Sequence, residues 1–218
     1  MGEVDLLKNY PKSKRKITTR ASQKTPEIRR IARKFSKEYF DGDRAYGYGG
    51  YNYHPRFWQQ VVKDFQKYYK LTSKSKILDV GCAKGFLLHD FLKLIPRLTI
   101  KGIDISQYAL DHALSDVKPF LQLGNAKKLP FPDKSFDLVI SINTIHNLNL
   151  KECKKALQEI QRVTKKHAFI TVDAYRNDEE KKRLEDWNLT AETYMHVDDW
   201  KKLFTDVGYT GDYFWFIP

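Results

Sequence analysis

The stretch KILDVGCAKGF, Lys76 to Phe86, decides how the rest of the chain is read. Ile77, Leu78 and Val80 are apolar and surround one acid, Asp79, as in a strand buried on both faces. Then come Gly81, the small Ala83 and Gly85, with Cys82 and Lys84 between them. A buried strand that ends on a carboxylate and a turn with few side chains suits a ligand that must come close to the main chain. The turn is not the dinucleotide fingerprint, because the second and third glycine slots of G-x-G-x-x-G hold Ala83 and Phe86. A Walker loop is absent too.

Outward from this turn, strand and helix patterns alternate. GFLLHDFLKLI reads as a helix, LTIKGIDIS as a strand, and Ser106 as the cap of a helix QYALDHALS. PFLQLGN is a short strand and FDLVISI a continuous apolar one. LKECKKALQEIQRV is a helix and HAFITVDAY a strand. The progression predicts an α/β fold with a doubly wound, mostly parallel sheet and helices on both faces. Towards the end, DEEKKRLEDW and HVDDWKKLFTDVGY read as helices and GDYFWFI as a last strand. Before the sheet, Thr25 and Pro26 mark a helix start, and Ile28, Ile31 and Phe35 share a face, which predicts a helix over 26–39. A second helical pattern runs through PRFWQQVVKDFQKYYKL.

The chain has 218 residues, the length of one domain, and no apolar run long enough to span a membrane. The first residues contain no apolar leader segment. Its two cysteines, Cys82 and Cys153, form no CxxC, so neither a disulfide framework nor a zinc site is expected, and a cytoplasmic setting is. The formal charge is +12. Residues 1–40 hold seven Lys and five Arg against four acids, which makes residues 1–24 a basic arm, either a loose solvated tail or an anchor for nucleic acid. No metal-ligand cluster is read, no membrane contact is expected, and nothing in the residues assigns an oligomeric state.

Three polar positions mark the carboxyl ends of the first three strands, where open α/β sheets bind ligands: Asp79, Asp104 and Asn125. With these in place, the chain resembles the class I S-adenosylmethionine-dependent methyltransferases, of the small type 11 or ubiquinone-biosynthesis-like kind. LDVGCAKG is similar to their first motif, D-x-G-x-G-x-G, with Ala83 in the central glycine slot. GIDIS resembles their ribose-binding acid, and GNAKKLPFPDKSFDLVIS resembles G-D-A-x-x-L-P-F-x-D-x-S-F-D-x-V, with Asn125 in place of Asp. The resemblance implies a Rossmann-like fold with an N-terminal helical extension and S-adenosylmethionine as cofactor, with S-adenosylhomocysteine as product. It also implies roles: Asp79 for the methionine end, Gly81, Cys82 and Gly85 for main-chain contacts, Asp104 and Ile105 for ribose and adenine. Asn125 and Ala126 would flank the base, and Ile142 and Asn143 would lie beside the sulfonium. The family commonly carries two strands after the final helix, so either LTAETYM forms an irregular strand or the sheet is one strand short.

The expected division is 1–24 basic arm, 25–71 N-terminal helices with a Tyr/Gly-rich lid, and 72–218 cofactor-binding domain. The lid is DGDRAYGYGGYNYHP, whose glycines permit closure and whose Tyr46, Tyr48 and Tyr51 can wall a pocket. The other reading is a surface loop whose tyrosines pack on the sheet. His146, after the fourth strand, is a candidate general base, against a packed loop histidine. His54 is a second candidate of the same kind. Asp173, Tyr175 and Arg176 follow the fifth strand and are candidates for the acceptor side, with Arg176 equally able to pair with Asp178 or Glu179. SINTIHNL lacks the [DN]-P-P-[FYW] loop of enzymes that methylate base amines, and no Pro-Cys pair is present. A small-molecule acceptor is therefore expected ahead of nucleic acid. An RNA methyltransferase anchored by the basic arm and a non-catalytic cofactor binder are the alternatives.

Overall fold

The alternation at Ile77–Val80 becomes the middle of a sheet in the computed structural model, which describes residues 1–11 and 17–218. In chain order the elements are α1 (Ile17–Gln23), α2 (Pro26–Ala32), α3 (Lys37–Asp41) and α4 (Gln59–Tyr69). Then follow β1 (Lys76–Val80), α5 (Phe86–Leu94), β2 (Thr99–Asp104), α6 (Gln107–Asp111), β3 (Leu121–Leu123) and β4 (Phe136–Ile142). The chain ends with α7 (Leu150–Val163), β5 (Thr164–Tyr175), α8 (Asp178–Trp187), β6 (Met195–His196), α9 (Val197–Asp206) and β7 (Asp212–Phe216).

The strand order is β3-β2-β1-β4-β5-β6, with β7 also on β5, and each of these pairings is parallel. The order reverses beside β1, which lies between β2 and β4, with Asp79 opposite Gly102 and Ile140. That reversal is where an open α/β sheet offers a crevice at the carboxyl ends of its strands. Alternate residues feed two cores. Leu78, Val80, Ala168, Ile170 and Val172 join one cluster with α7 and α9 residues, while Ile77 and Phe169 join the other with α4 and α5. In α7 the buried positions are Cys153, Ala156, Leu157, Ile160 and Val163, one face at helical spacing, and Asn149 caps it by accepting from Glu152 N–H. No helix among the described residues is long and apolar enough to cross a membrane.

Two expectations are corrected and one alternative is resolved. The helix expected over 26–39 is two helices, because Phe35 adopts a left-handed backbone (φ +47°) and its carbonyl accepts a hydrogen bond from Ser106 Oγ at 2.5 Å. The described parts of 1–24 are not a loose arm. Val4 N–H donates to Tyr213 O and Tyr213 N–H to Gly2 O, both 3.0 Å, and Leu6 is buried in the second core. Residues 17–23 form α1, where Arg20 donates to Ala45 O and Gly47 O; residues 12–16 of the arm lie outside the described residues. Finally, the segment after α8 supplies a two-residue strand, Met195–His196, on the end of β5.

Candidate cofactor and acceptor site

The main chain of the glycine turn is tied down at both ends. Gly81 N–H and Cys82 N–H both donate to Ile103 O, at 2.7 and 3.1 Å, and Gly85 N–H donates to Cys82 O at 2.8 Å. Gly81 has φ +87°, and a Cβ there would run into the Thr144 side chain; Gly85 has φ +74° and opens α5. These two positions need glycine. Ala83 is also left-handed, at φ +48°. That conformation strains an alanine by about 1–2 kcal/mol, and the structure holds it with a hydrogen bond from Ala83 N–H to Asp104 Oδ2 at 2.8 Å.

Asp104 therefore shapes the turn as well as facing it. Its other oxygen, Oδ1, accepts from Ser106 N–H at 2.8 Å. Ile105 N–H also reaches this carboxylate, and its remaining acceptor capacity suits the hydroxyl donors of a vicinal diol. Burial pushes the Asp104 carboxyl up, against the backbone hydrogen bonds that pull it down. Asp79 is buried beside it, and burial with the Asp104 charge pushes its carboxyl up to about 7. Two neighbouring acids, one buried and without a hydrogen-bonding cause among its shifts, fit a ligand carrying positive charge. Gly124 N–H donates to Asp104 O, which brings Asn125 and buried Ala126 to the same edge. Asn125 Oδ1 accepts from Lys127 N–H at 3.0 Å, so its amide also shapes its own turn. Ile105 is half exposed beside them.

At the end of β4, Asn143 has φ +51° and is locked to β5. Its N–H donates to Thr171 O and Oγ1, and Thr171 Oγ1 donates to Asn143 Oδ1 at 2.8 Å. Ile142 precedes it, half-buried. The general-base role expected of His146 does not fit its surroundings. The ring is buried, its Nδ1 accepts from Asp173 N–H at 2.9 Å, and burial lowers its pKa to about 3. A ring so reluctant to take a proton positions a loop: His146 O receives Glu192 N–H and Thr193 N–H at 3.0 and 2.9 Å. Asp173 is buried with it, Oδ1 lying 3.3 Å from Nδ1.

Residues 25–53 cover this edge. Tyr48 and Tyr51 stack with ring centres 4.5 Å apart, and Tyr51 lies 4.7 Å from Phe86, the first residue of α5. Tyr46 is held within the loop by its N–H on Asp43 O. His54 is exposed and accepts from Arg56 N–H at 3.2 Å on the approach to α4. Tyr175 packs under Lys181, and Arg176 pairs with Glu180 at 3.4 Å, a partner one helical turn away.

One contact has no counterpart in the sequence expectations. Lys84, in the glycine turn, is buried, and its Nζ donates to both carboxylate oxygens of Asp41 at 2.8 and 2.7 Å and to Tyr51 O at 2.9 Å. Asp41 also accepts from Tyr51 N–H at 3.0 Å and Tyr108 OH at 2.8 Å. Burial raises the Asp41 carboxyl, and the bonds from Lys84 and Tyr108 outweigh it and hold it low. The cover is thus latched to the ligand turn by a buried ion pair. The visible signal was a lysine inside a turn of small residues, which needs an anion once buried.

Comparison with known proteins agrees with this geometry. Residues 78–172 match the family described as a methyltransferase domain. A methyltransferase-like protein of Encephalitozoon cuniculi is 30% identical over 159 residues, covering 65% of this chain and 71% of its own. An uncharacterized methyltransferase of Schizosaccharomyces pombe is 34% identical over 116 residues, 48% of this chain, and the chain spans only 40% of that protein's length. The YcgJ protein of Bacillus subtilis shares the fold, with a TM-score of 0.55 at 21% identity over 67% of this chain and 66% of its own. A sheet reversing at β1, a left-handed glycine turn flanked by two acids, and relatives that share sequence or fold lead to one assignment: the chain belongs to the class I S-adenosylmethionine-dependent methyltransferases.

Proposed function

We propose that this chain transfers a methyl group from S-adenosylmethionine to a small-molecule acceptor. The observation that carries the reading is the pair of acids, buried Asp79 and half-buried Asp104, on either side of the main-chain turn Gly81–Gly85. Asp104 has lone pairs to receive the two ribose hydroxyls, and Asp79 supplies negative charge for the cationic methionine end. The cofactor brings an electrophilic methyl group on a sulfonium. The chain binds, orients and excludes water: the turn admits the ligand close to the main chain, Asn143 fixes the end of β4, and the tyrosine cover closes over the edge.

His146 is a poor proton acceptor here, so the reading favours an acceptor atom that is nucleophilic without a strong protein base. A small acceptor is supported by the aromatic cover and by the loop Asn143-Thr144-Ile145-His146, which lacks the base-amine motif. Calorimetry with S-adenosylhomocysteine tests the site. Asp104→Ala removes two charge-assisted hydrogen bonds, each worth roughly 1.5–3 kcal/mol before compensation. At least a tenfold loss of affinity is expected (~1.4 kcal/mol), and unchanged affinity in a folded variant refutes the assignment.

A further inference from the structure

Five cations, Lys24, Arg29, Arg30, Arg33 and Lys34, line an open groove of about 750 Å³ on the N-terminal cover, with no acid in its wall. Two acids stand at its rim: Glu27 pairs with Arg30 at 2.6 Å, and Glu192 with Arg33 at 3.4 Å. Positive charge remains in excess. Arg29 and Arg33, like Arg30 and Lys34, lie four residues apart across the end of α2, which gathers like charges at one helix terminus. The fold holds them there. Arg33 Nε donates to Thr190 O at 3.2 Å, and Nη2 atoms of Arg33 and Arg29 donate to Ala191 O at 3.3 and 3.5 Å. Arg29 Nε–H is buried and finds no acceptor among the described residues. Burial first lowers the pKa values of Lys24 and Arg29, then the Arg29 charge acts on Lys24 and the Arg33 charge on Arg29.

The chemistry that relieves this crowding is an anion with several oxygens. Planar guanidinium forks match phosphate or pyrophosphate. No aromatic residue walls the groove, so a nucleic-acid base would have no ring to stack on. Its volume falls in the range of small-ligand sites. A single segment ties the groove's arginines to the loop after β4. Thr190 and Ala191 hold the arginines, and Glu192 and Thr193, next in the chain, hold His146 O after β4.

Building on the methyl-transfer reading above, we propose that this groove binds the phosphate or pyrophosphate end of a small acceptor, making the substrate a phosphorylated small molecule. A second basic groove provides the contrast. Lys127, Lys128, Lys151 and Lys155 line about 460 Å³, but Glu152 stands in its wall, bonded to Lys127. That groove has an internal counter-charge.

Inorganic pyrophosphate is the probe, titrated calorimetrically into the full chain at low salt, with S-adenosylhomocysteine titrated in parallel. Wild type is expected to bind pyrophosphate. The exposed double variant Arg30→Ala/Lys34→Ala should lose at least tenfold in that affinity (~1.4 kcal/mol), with S-adenosylhomocysteine affinity unchanged. Lys151→Ala/Lys155→Ala, in the second groove, should bind pyrophosphate as wild type does. Equal losses in both variants would mean non-specific charge attraction and overturn the proposal. So would wild type that ignores pyrophosphate while binding S-adenosylhomocysteine; failure to bind the latter strikes the methyl-transfer reading instead. A short single-stranded RNA that binds the groove more tightly than pyrophosphate, with the steep salt dependence of counterion release, would replace the small acceptor by a nucleic acid.

Discussion

The glycine turn and the cover of residues 25–53 meet at the carboxyl edge, and they are held in opposite ways. In the turn, one side chain, Asp104, orders its surroundings by taking main-chain N–H groups from Ala83 and Ser106, and the Ile103 carbonyl takes two more. Three of these four donors lie in the turn and the fourth follows Asp104 itself. In the cover, order comes from side chains that reach across the chain: Lys84 to Asp41, Tyr108 to Asp41, Arg33 to the 190–191 carbonyls. The first kind of bonding survives most substitutions, because the main chain is always present. The second depends on single residues. The cover can therefore loosen while the turn keeps its shape, a division suited to a site that must admit and release ligands.

The sharpest way to break this comparison is through pH. Asp79 has a folded-state pKa of about 7 against an ordinary 3.8, so the native protein keeps that proton longer than the unfolded chain does. Between those values stability falls as pH rises, by up to about 1.4 kcal/mol per unit from this group, and Asp79→Asn should abolish the loss. The ligand's α-ammonium group, placed beside Asp79, favours the ionised form. Affinity for S-adenosylhomocysteine should thus climb up to about tenfold per pH unit as pH approaches 7 from below, then level off. In Asp79→Asn the curve should be flat. A flat curve in wild type would remove Asp79 from the ligand's charge environment.

The latch is expected to give a smaller effect. Lys84→Met leaves Asp41 with Tyr108 and the Tyr51 N–H, and Asp41 is partly exposed, so a stability loss of about 1–3 kcal/mol is expected, below that of a fully buried pair. Hydrogen exchange over residues 41–54 should speed up while exchange over 76–86 stays slow. Equal acceleration in both segments would show that turn and cover are one unit and dissolve the comparison. Smallest of all is the catalytic effect of His146. His146→Gln should lower the melting temperature by removing the buried ring and its bond from Asp173 N–H, yet leave the shape of the pH–rate profile unchanged. A profile that loses a limb on this substitution would restore His146 as a base.

Legibility in the sequence follows the same line. The parallel sheet and its turn could be read because their signals are local: a strand of apolar residues, an acid, and glycines at fixed offsets. The break at Phe35 could not, since Ile28, Ile31 and Phe35 keep helical spacing and only the tertiary bond from Ser106 Oγ bends the chain. His146 shows the limit of residue type. Its position after β4 suggested proton chemistry, and its burial against Asp173 N–H removes it. Asp41 and Lys84 lie 43 residues apart, so no motif joins them. Leu6 was hidden by the charges around it, which read as a solvated arm.

The N-terminal strip that bonds to Tyr213 also bears on self-association. An unpaired strand edge is a template on which a second molecule can add a strand. Gly2 and Val4 bracket Tyr213 near the start of β7, and β3, on the opposite side of the sheet, is only three residues long. Among the described residues neither border offers a long run of free N–H and C=O groups, so a second molecule finds only a short template on either side.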